Sequence, residues 1–126
     1  MENYHTVVLG ATTRPTRTAF QAINRLVNQG YPVSAVGIRE GEVAGVPIQL
    51  GSPALEDVHT VTLYINPQRQ QPLYDYILSL EPKRIIFNPG TENAELVKFA
   101  REAGIETDYA CTLVMLATDS YAEKEV

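Results

Sequence analysis

The residues best placed to do chemistry lie in one stretch, His5 to Arg17, HTVVLGATTRPTR. The apolar run Thr6-Val7-Val8-Leu9 stops at Gly10-Ala11-Thr12, and Arg14 and Arg17 follow. Such a run reads as a buried parallel strand, and glycine permits a sharp backbone turn where it stops. Residues 18–29 then carry a helical pattern, closed by Gly30 as a C-terminal cap. A strand, a small-residue turn and a helix N-terminus together form an anion site. Unpaired N–H groups point out of the turn, and the helix dipole favours negative charge. The two arginines add cationic donors shaped for phosphate.

Other reactive residue types are sparse. Cys111 follows the last apolar run, but a reactive thiol needs a helix N-terminus or a basic neighbour, and no basic residue lies near it in sequence. An inert, buried cysteine is the better reading. His5 and His59 precede strands, at the edge of an α/β sheet opposite the one where ligands bind. They show no metal-ligand spacing with each other or with Cys111. Tyr64, Tyr74, Tyr76 and Tyr109 read as core or cleft-wall residues rather than acids. No nucleophile, base and orienter can be assembled, so no catalytic residue and no metal ligand is assigned.

The elements that position the first turn alternate along the chain. Strands are expected at 6–9, 33–38, 60–65, 84–87 and 105–109, and helices at 18–29, 67–80 and 92–103. Residues 39–53 read as irregular, punctuated by Gly41, Gly45, Pro47, Gly51 and Pro53, with room for a short strand at 46–50. Residues 111–116 suit a short terminal helix, and 119–126 a frayed polar tail. This alternation implies right-handed βαβ crossovers. The expected fold is α/β: a Rossmann-like, open, mostly parallel five-stranded sheet with helices on both faces, in a single domain over 1–126.

In such sheets ligands bind beyond the carboxyl ends of the strands, where the strand order switches. Four turns qualify: 10–17, 37–41, 66–67 and 88–93. A dinucleotide fingerprint would need glycines at 10, 12 and 15, and the chain has Gly10, Thr12 and Pro15. The second strand ends Gly37-Ile38-Arg39, where an NAD site carries an acid for the ribose hydroxyls. Arginine there suits a phosphorylated ribose. NAD is disfavoured, while NADP and other ribose-phosphate nucleotides stay open.

Composition narrows the partners. The net charge of −5 over 126 residues argues against nucleic acid, which calls for a basic face. Charge is nevertheless uneven: residues 1–39 carry net +3 and the remainder net −8. A small anion can be held locally by a protein that is acidic as a whole. No apolar run approaches the roughly 20 residues that span a bilayer. The absence of a signal-like start and the single cysteine point to the cytoplasm.

The run Gly10-Ala11-Thr12-x-Arg14-Pro15-x-Arg17, followed by Leu26…Gly30-Tyr31-Pro32-Val33, resembles the small stand-alone CoA-binding domain proteins. These are similar to the CoA-binding N-terminal domain of the succinyl-CoA synthetase alpha subunit. The likeness continues through Gly41–Pro47, Leu55-Glu56-Asp57-Val58 and the helix 95–104. It implies a Rossmann-like fold binding coenzyme A, or an acyl-CoA, through its nucleotide end. By position Gly10, Ala11, Thr12, Arg14 and Arg17 match the first phosphate-contacting turn, and Ile38 and Arg39 the segment that meets adenosine. Asn66 and Pro67, then Asn88 and Gly90, match later turns lining the same cleft. Two departures stand out. Ile38-Arg39-Glu40-Gly41 replaces an Asn-Pro pair common in relatives, and Phe87-Asn88-Pro89-Gly90 replaces a version that often contains glutamine.

The synthetase carries its phosphorylated histidine on a separate domain, for which 126 residues leave no room. The expectation is therefore a non-catalytic binding, sensor or accessory module for a small nucleotide ligand, without nucleic acid or membrane. The alternative is an NADP-dependent oxidoreductase-like protein using the same cleft. Whether a protein partner or a second copy joins it is left open.

Overall fold

The computed structural model describes residues 3–122. Seven strands form one sheet: β1 (Thr6–Leu9), β2 (Val33–Val36), β3 (Glu42–Val43), β4 (Val46–Gln49), β5 (Thr60–Leu63), β6 (Arg84–Phe87) and β7 (Glu106–Tyr109). Their order is β3-β4-β2-β1-β5-β6-β7, and every pairing is parallel except β3 with β4. The helices are α1 (Thr18–Asn28), α2 (Pro67–Gln70), α3 (Tyr74–Ser79), α4 (Ala94–Glu102) and α5 (Thr112–Ala117).

The expected count of five strands is corrected to seven. The two additions form a hairpin in segment 39–53: β4 is the short strand allowed for at 46–50, and β3 is added to it. Its two-residue turn, Ala44-Gly45, has positive φ at both positions (52° and 82°), as a tight hairpin with right-handed twist requires. Pro47 interrupts no ladder with β2, because that pairing begins only at Ile48. The helix expected over 67–80 is also broken. Pro72 has no N–H to donate, so the chain passes through a 3-10 turn at Gln71–Leu73 between α2 and α3.

The central strands are buried on both faces, which is why they read as continuous apolar runs rather than alternating ones. Strand periodicity divides the core into two layers. Val7, Leu9, Val61, Leu63, Ile85 and Phe87 face Ile77 of α3 and Leu96 and Ala100 of α4. Val8, Ala35 and Ile86 face Ala19, Ile23 and Leu26 of α1 together with Leu116 of α5. The α1 stripe Ala19, Ala22, Ile23 and Leu26 has the helical spacing that this burial demands.

Of the segment read as a frayed tail, Tyr121 is buried at 2% exposure, against Tyr31 and the Arg84 guanidinium. Residues 123–126 of that segment lie outside those described. Among the described residues no helix is long and apolar enough to cross a membrane.

Candidate functional site

From β1 the chain moves one way along the sheet to β2 and β4, then returns to place β5 on the other side of β1. The strand order therefore switches at β1, and a crevice opens where α1 leaves one face and α2 the other. A cleft of about 820 Å³ occupies that place. Gly10, Ala11, Thr12, Arg14 and Arg17 line it from the first turn, and Ile38 and Arg39 from the second. These seven residues, chosen from sequence, are brought together by the fold.

Three glycines hold the first turn between its neighbours. Gly10 has φ +101°, and a Cβ there would lie 3.0 Å from Ile65 Cγ2 and from Tyr64 O. A Cβ on Gly37 would lie 2.5 Å from the Ala11 carbonyl oxygen, so the turn after β2 approaches the first turn backbone to backbone. One on Gly41 would collide with the Thr13 methyl group. The Gly10 and Ala11 N–H groups both donate to Val36 O at 2.9 Å, which sets the start of the turn. Thr12 Oγ1 accepts from Arg14 N at 3.2 Å.

Helix α1 then begins without a side-chain cap at Arg17 and without an acid in its first turn. Its first N–H groups have no partner within the helix, and Arg17, Thr18 and Ala19 line the cleft. Three other helices start near this edge: α5 has no side-chain cap at Cys111 but its Thr112 N–H is taken by Asn88 Oδ1, while α2 and α4 are capped. Asn66 Oδ1 accepts from Arg69 N at 2.9 Å for α2, and Asn93 Oδ1 from Glu95 N and Leu96 N for α4. Helix α1, without such a cap, opens onto the cleft.

Among the described residues four arginines line the cleft, Arg14, Arg17, Arg39 and Arg69, and no aspartate or glutamate does. Nor does the lining hold a histidine or a cysteine. A smaller depression of about 400 Å³ between α3 and α4 is rimmed by Asp75 and Glu102. Its charge is of the wrong sign for an anionic ligand, and it lies away from the switch point.

The remaining candidates have other places. Asn66 caps α2 and Pro67 is its first residue, and neither lines the cleft. Asn88 turns inward: its Nδ2 donates to Thr62 Oγ1 (2.7 Å) and Leu63 O (2.9 Å), and its Oδ1 accepts from Thr112 N (2.8 Å). Gly90 N donates to the Glu92 carboxylate at 2.8 Å. Cys111 is partly buried at the start of α5, outside the lining. His5 bonds Glu56 O and Ser34 Oγ, and His59 bonds Thr60 Oγ1, both at the amino edge. Among the described residues no group of three or more histidine, cysteine or carboxylate side chains is placed to hold a metal.

Sequence reasoning missed Arg69, Leu50, Gly51, Pro72 and Leu73 as lining residues. Tyr64, read as a core or cleft-wall residue, is a wall residue whose hydroxyl is buried without a hydrogen-bond partner. Burial pushes that hydroxyl up to about 12, and the nearby Thr112 and Thr62 hydroxyls offset only part of the rise. Those two bond each other at 2.8 Å instead.

Residues 4–117 match the sequence model of the CoA binding domain family. An uncharacterized protein of known structure is 51% identical, with a TM-score of 0.91 over 94% of this chain and 98% of its own. The cell-free ID.343 protein of Thermus thermophilus is 25% identical, with a TM-score of 0.82 over 93% of this chain and 90% of its own. The fold is also shared, at 18% identity and a TM-score of 0.69, with the dinucleotide forming acetyl-coenzyme A synthetase 1 of Ca. Korarchaeum cryptofilum, solved with phosphate and ADP. That match covers 86% of this chain and 26% of the synthetase. No curated protein matches the chain.

Proposed function

The chain belongs to the CoA-binding domain family, and from that premise we propose that it binds coenzyme A or an acyl-CoA in the switch-point cleft, through the nucleotide and its phosphates, as a module without a catalytic centre of its own. The observation that carries this reading is the uncapped α1 N-terminus opening onto a cleft lined, among the described residues, by four arginines and no acid. Coenzyme A presents a diphosphate and a ribose 3′-phosphate, which several cationic donors in separate turns can engage. The first turn with Arg14 and Arg17 would receive the diphosphate, and Arg39 the ribose phosphate.

The residues fit the group. Gly37 and Gly41 leave the approach to the first turn clear where a Cβ would push it out of place. The cleft, at about 820 Å³, falls within the range of roughly 300–1,000 Å³ usual for small-molecule sites. Exposed Ile38 and Leu50 offer apolar surface for a base. When bound, coenzyme A supplies a thiol able to carry an acyl group. Among the described residues no histidine, cysteine or carboxylate lines the cleft to move a proton, which supports a binding, sensing or accessory role.

Arg39 also suits the ribose phosphate of NADP, so the oxidoreductase-like alternative keeps one observation in its favour. Thermal shift with coenzyme A, acetyl-CoA, NAD and NADP separates the two, because a ligand that binds only the folded state raises its melting temperature. Stabilisation by both CoA compounds is expected. Stabilisation by NADP alone would overturn the reading.

A further inference from the structure

Arg69 is the one cleft arginine that comes from neither of the first two turns. It stands on α2, beyond β5, on the face of the sheet opposite α1: Leu73 and Ile77 pack in the α3–α4 layer, whereas α1 packs in the other. Its wall lies directly against the first turn, since at Gly10 no side chain separates that turn from Tyr64 O and Ile65 Cγ2. Asn66 fixes the direction of α2 by accepting from the Arg69 N–H. The break at Pro72 then leaves Pro72 and Leu73 beside Tyr64 and Ile65 along the cleft. Among the described residues Arg69 is thus the only charge on a wall that is otherwise largely apolar, and no carboxylate lines the cleft beside it.

We propose that Arg69 is a binding residue that grips the diphosphate from the face opposite α1, so that the cleft selects a nucleoside diphosphate whose far phosphate bears an uncharged arm. Arg17 and Arg69 then hold the diphosphate between the two faces of the sheet. The arm runs over Tyr64, Ile65 and Leu73, where a third phosphate would meet apolar surface in place of a cationic donor. The inference rests on the CoA reading above, and it adds which part of the ligand each wall recognises.

Calorimetric titration of the intact chain with coenzyme A, dephospho-CoA and adenosine 3′,5′-bisphosphate tests it, using Arg69→Met and Arg39→Met. Arg69 is exposed, so its replacement leaves folding intact, checked by an unchanged melting temperature without ligand. Arg69→Met should weaken coenzyme A and dephospho-CoA by the same factor, about tenfold for a lost charge-assisted contact. It should weaken the bisphosphate, which has neither diphosphate nor arm, far less. Arg39→Met should weaken coenzyme A and leave dephospho-CoA unchanged. If wild type binds coenzyme A and Arg69→Met binds it equally well, or loses the bisphosphate as strongly, the role of Arg69 is overturned while the CoA reading stands. If wild type binds none of the three, the CoA reading is overturned and this inference with it.

Discussion

The turn after β1 and the turn after β6 leave the same edge of the same sheet, and both are rich in polar residues and punctuated by glycine. Their polar groups are disposed in opposite ways. After β6, Asn88, Thr91 and Asn93 are all buried and bonded within the protein. Gln70, fully buried, joins that turn to the one after β5 by donating to Ile65 O and Thr91 O at 2.8 Å and accepting from Asn93. Asn93 in turn caps α4 and donates to the Tyr74 hydroxyl. After β1, the side chains of residues 13–18 are exposed, the helix is uncapped, and cations without acidic neighbours line the opening. A buried polar group must be satisfied from within, so a fully bonded turn has little left to offer a ligand. The first turn is organised around donors that something else completes.

Breaking the closed turn should cost stability and spare binding. Asn88→Ala removes three hydrogen bonds: the Thr112 N–H and Leu63 O each lose a partner in the interior, while the Thr62 hydroxyl keeps its bond to Thr112. A loss of about 3 kcal/mol in unfolding free energy is expected, since each stranded buried group costs about 1–3 kcal/mol. Urea denaturation measures it, and at a temperature where the variant is folded its CoA affinity should stay within about threefold of wild type. A variant of unchanged stability that had lost CoA would assign Asn88 to the ligand rather than to the frame.

Breaking the open turn should do the reverse. Arg14→Ala with Arg17→Ala should weaken coenzyme A by about a hundredfold, taking about tenfold for each exposed charge-assisted contact. The melting temperature without ligand should remain at its wild-type value or rise, because neighbouring like charges are removed. Calorimetric titration at two salt concentrations is the check. Undiminished affinity in the double variant would remove the phosphate role from this turn.

Much of this contrast can be read from the chain. Thr6–Leu9, Gly10 and the arginines at 14 and 17 announce the open turn because strand, glycine and helix follow in order with both arginines between glycine and helix. Asn88 was misleading for a physical reason. An asparagine next to Pro89-Gly90 reads as exposed turn chemistry, and only the register of β6 on β5 shows that Thr62 and Leu63 O wait beneath it. Arg69 and Leu50 enter the cleft through strand order, which brings β5 to one side of β1 and β4 to the far side of β2. No local pattern encodes that order. Of the β3–β4 hairpin, the sequence offers β4 as a short strand at 46–50, while β3 is only two residues long and leaves no periodicity to read.

Gly37 lies where the two kinds of behaviour meet, since it touches the open turn but is itself fixed by packing. Gly37→Ala would put a methyl group 2.5 Å from the Ala11 carbonyl oxygen, an atom of backbone that cannot rotate away. The turns must separate, at about 1–3 kcal/mol, the usual range for an overpacked site. Gly41→Ala meets the Thr13 methyl instead, which a change of rotamer can move, so its effect should be smaller. In both, CoA affinity should fall together with stability. A Gly37→Ala protein with wild-type stability and affinity would show that the approach of these turns is not needed.

The smallest effect concerns Tyr64, on the wall between the two regions. Its hydroxyl is buried, unpartnered and raised to about 12 from an ordinary 10.0, so folding favours the neutral form. That contribution is fully present below pH 10, the unfolded value, and is lost as pH rises towards the folded value of about 12. Over that window the loss amounts to roughly 2–3 kcal/mol by linkage. Burial also raises other tyrosines, such as Tyr76, so the comparison that isolates Tyr64 is with Tyr64→Phe. At pH 7 this variant should match wild type or gain up to about 1 kcal/mol, because it removes a buried hydroxyl that lacks a partner. Between pH 10 and 12 its stability should fall less steeply than that of wild type. Parallel curves across that range would mean that the hydroxyl reaches water, which would place Tyr64 on the open side of the cleft.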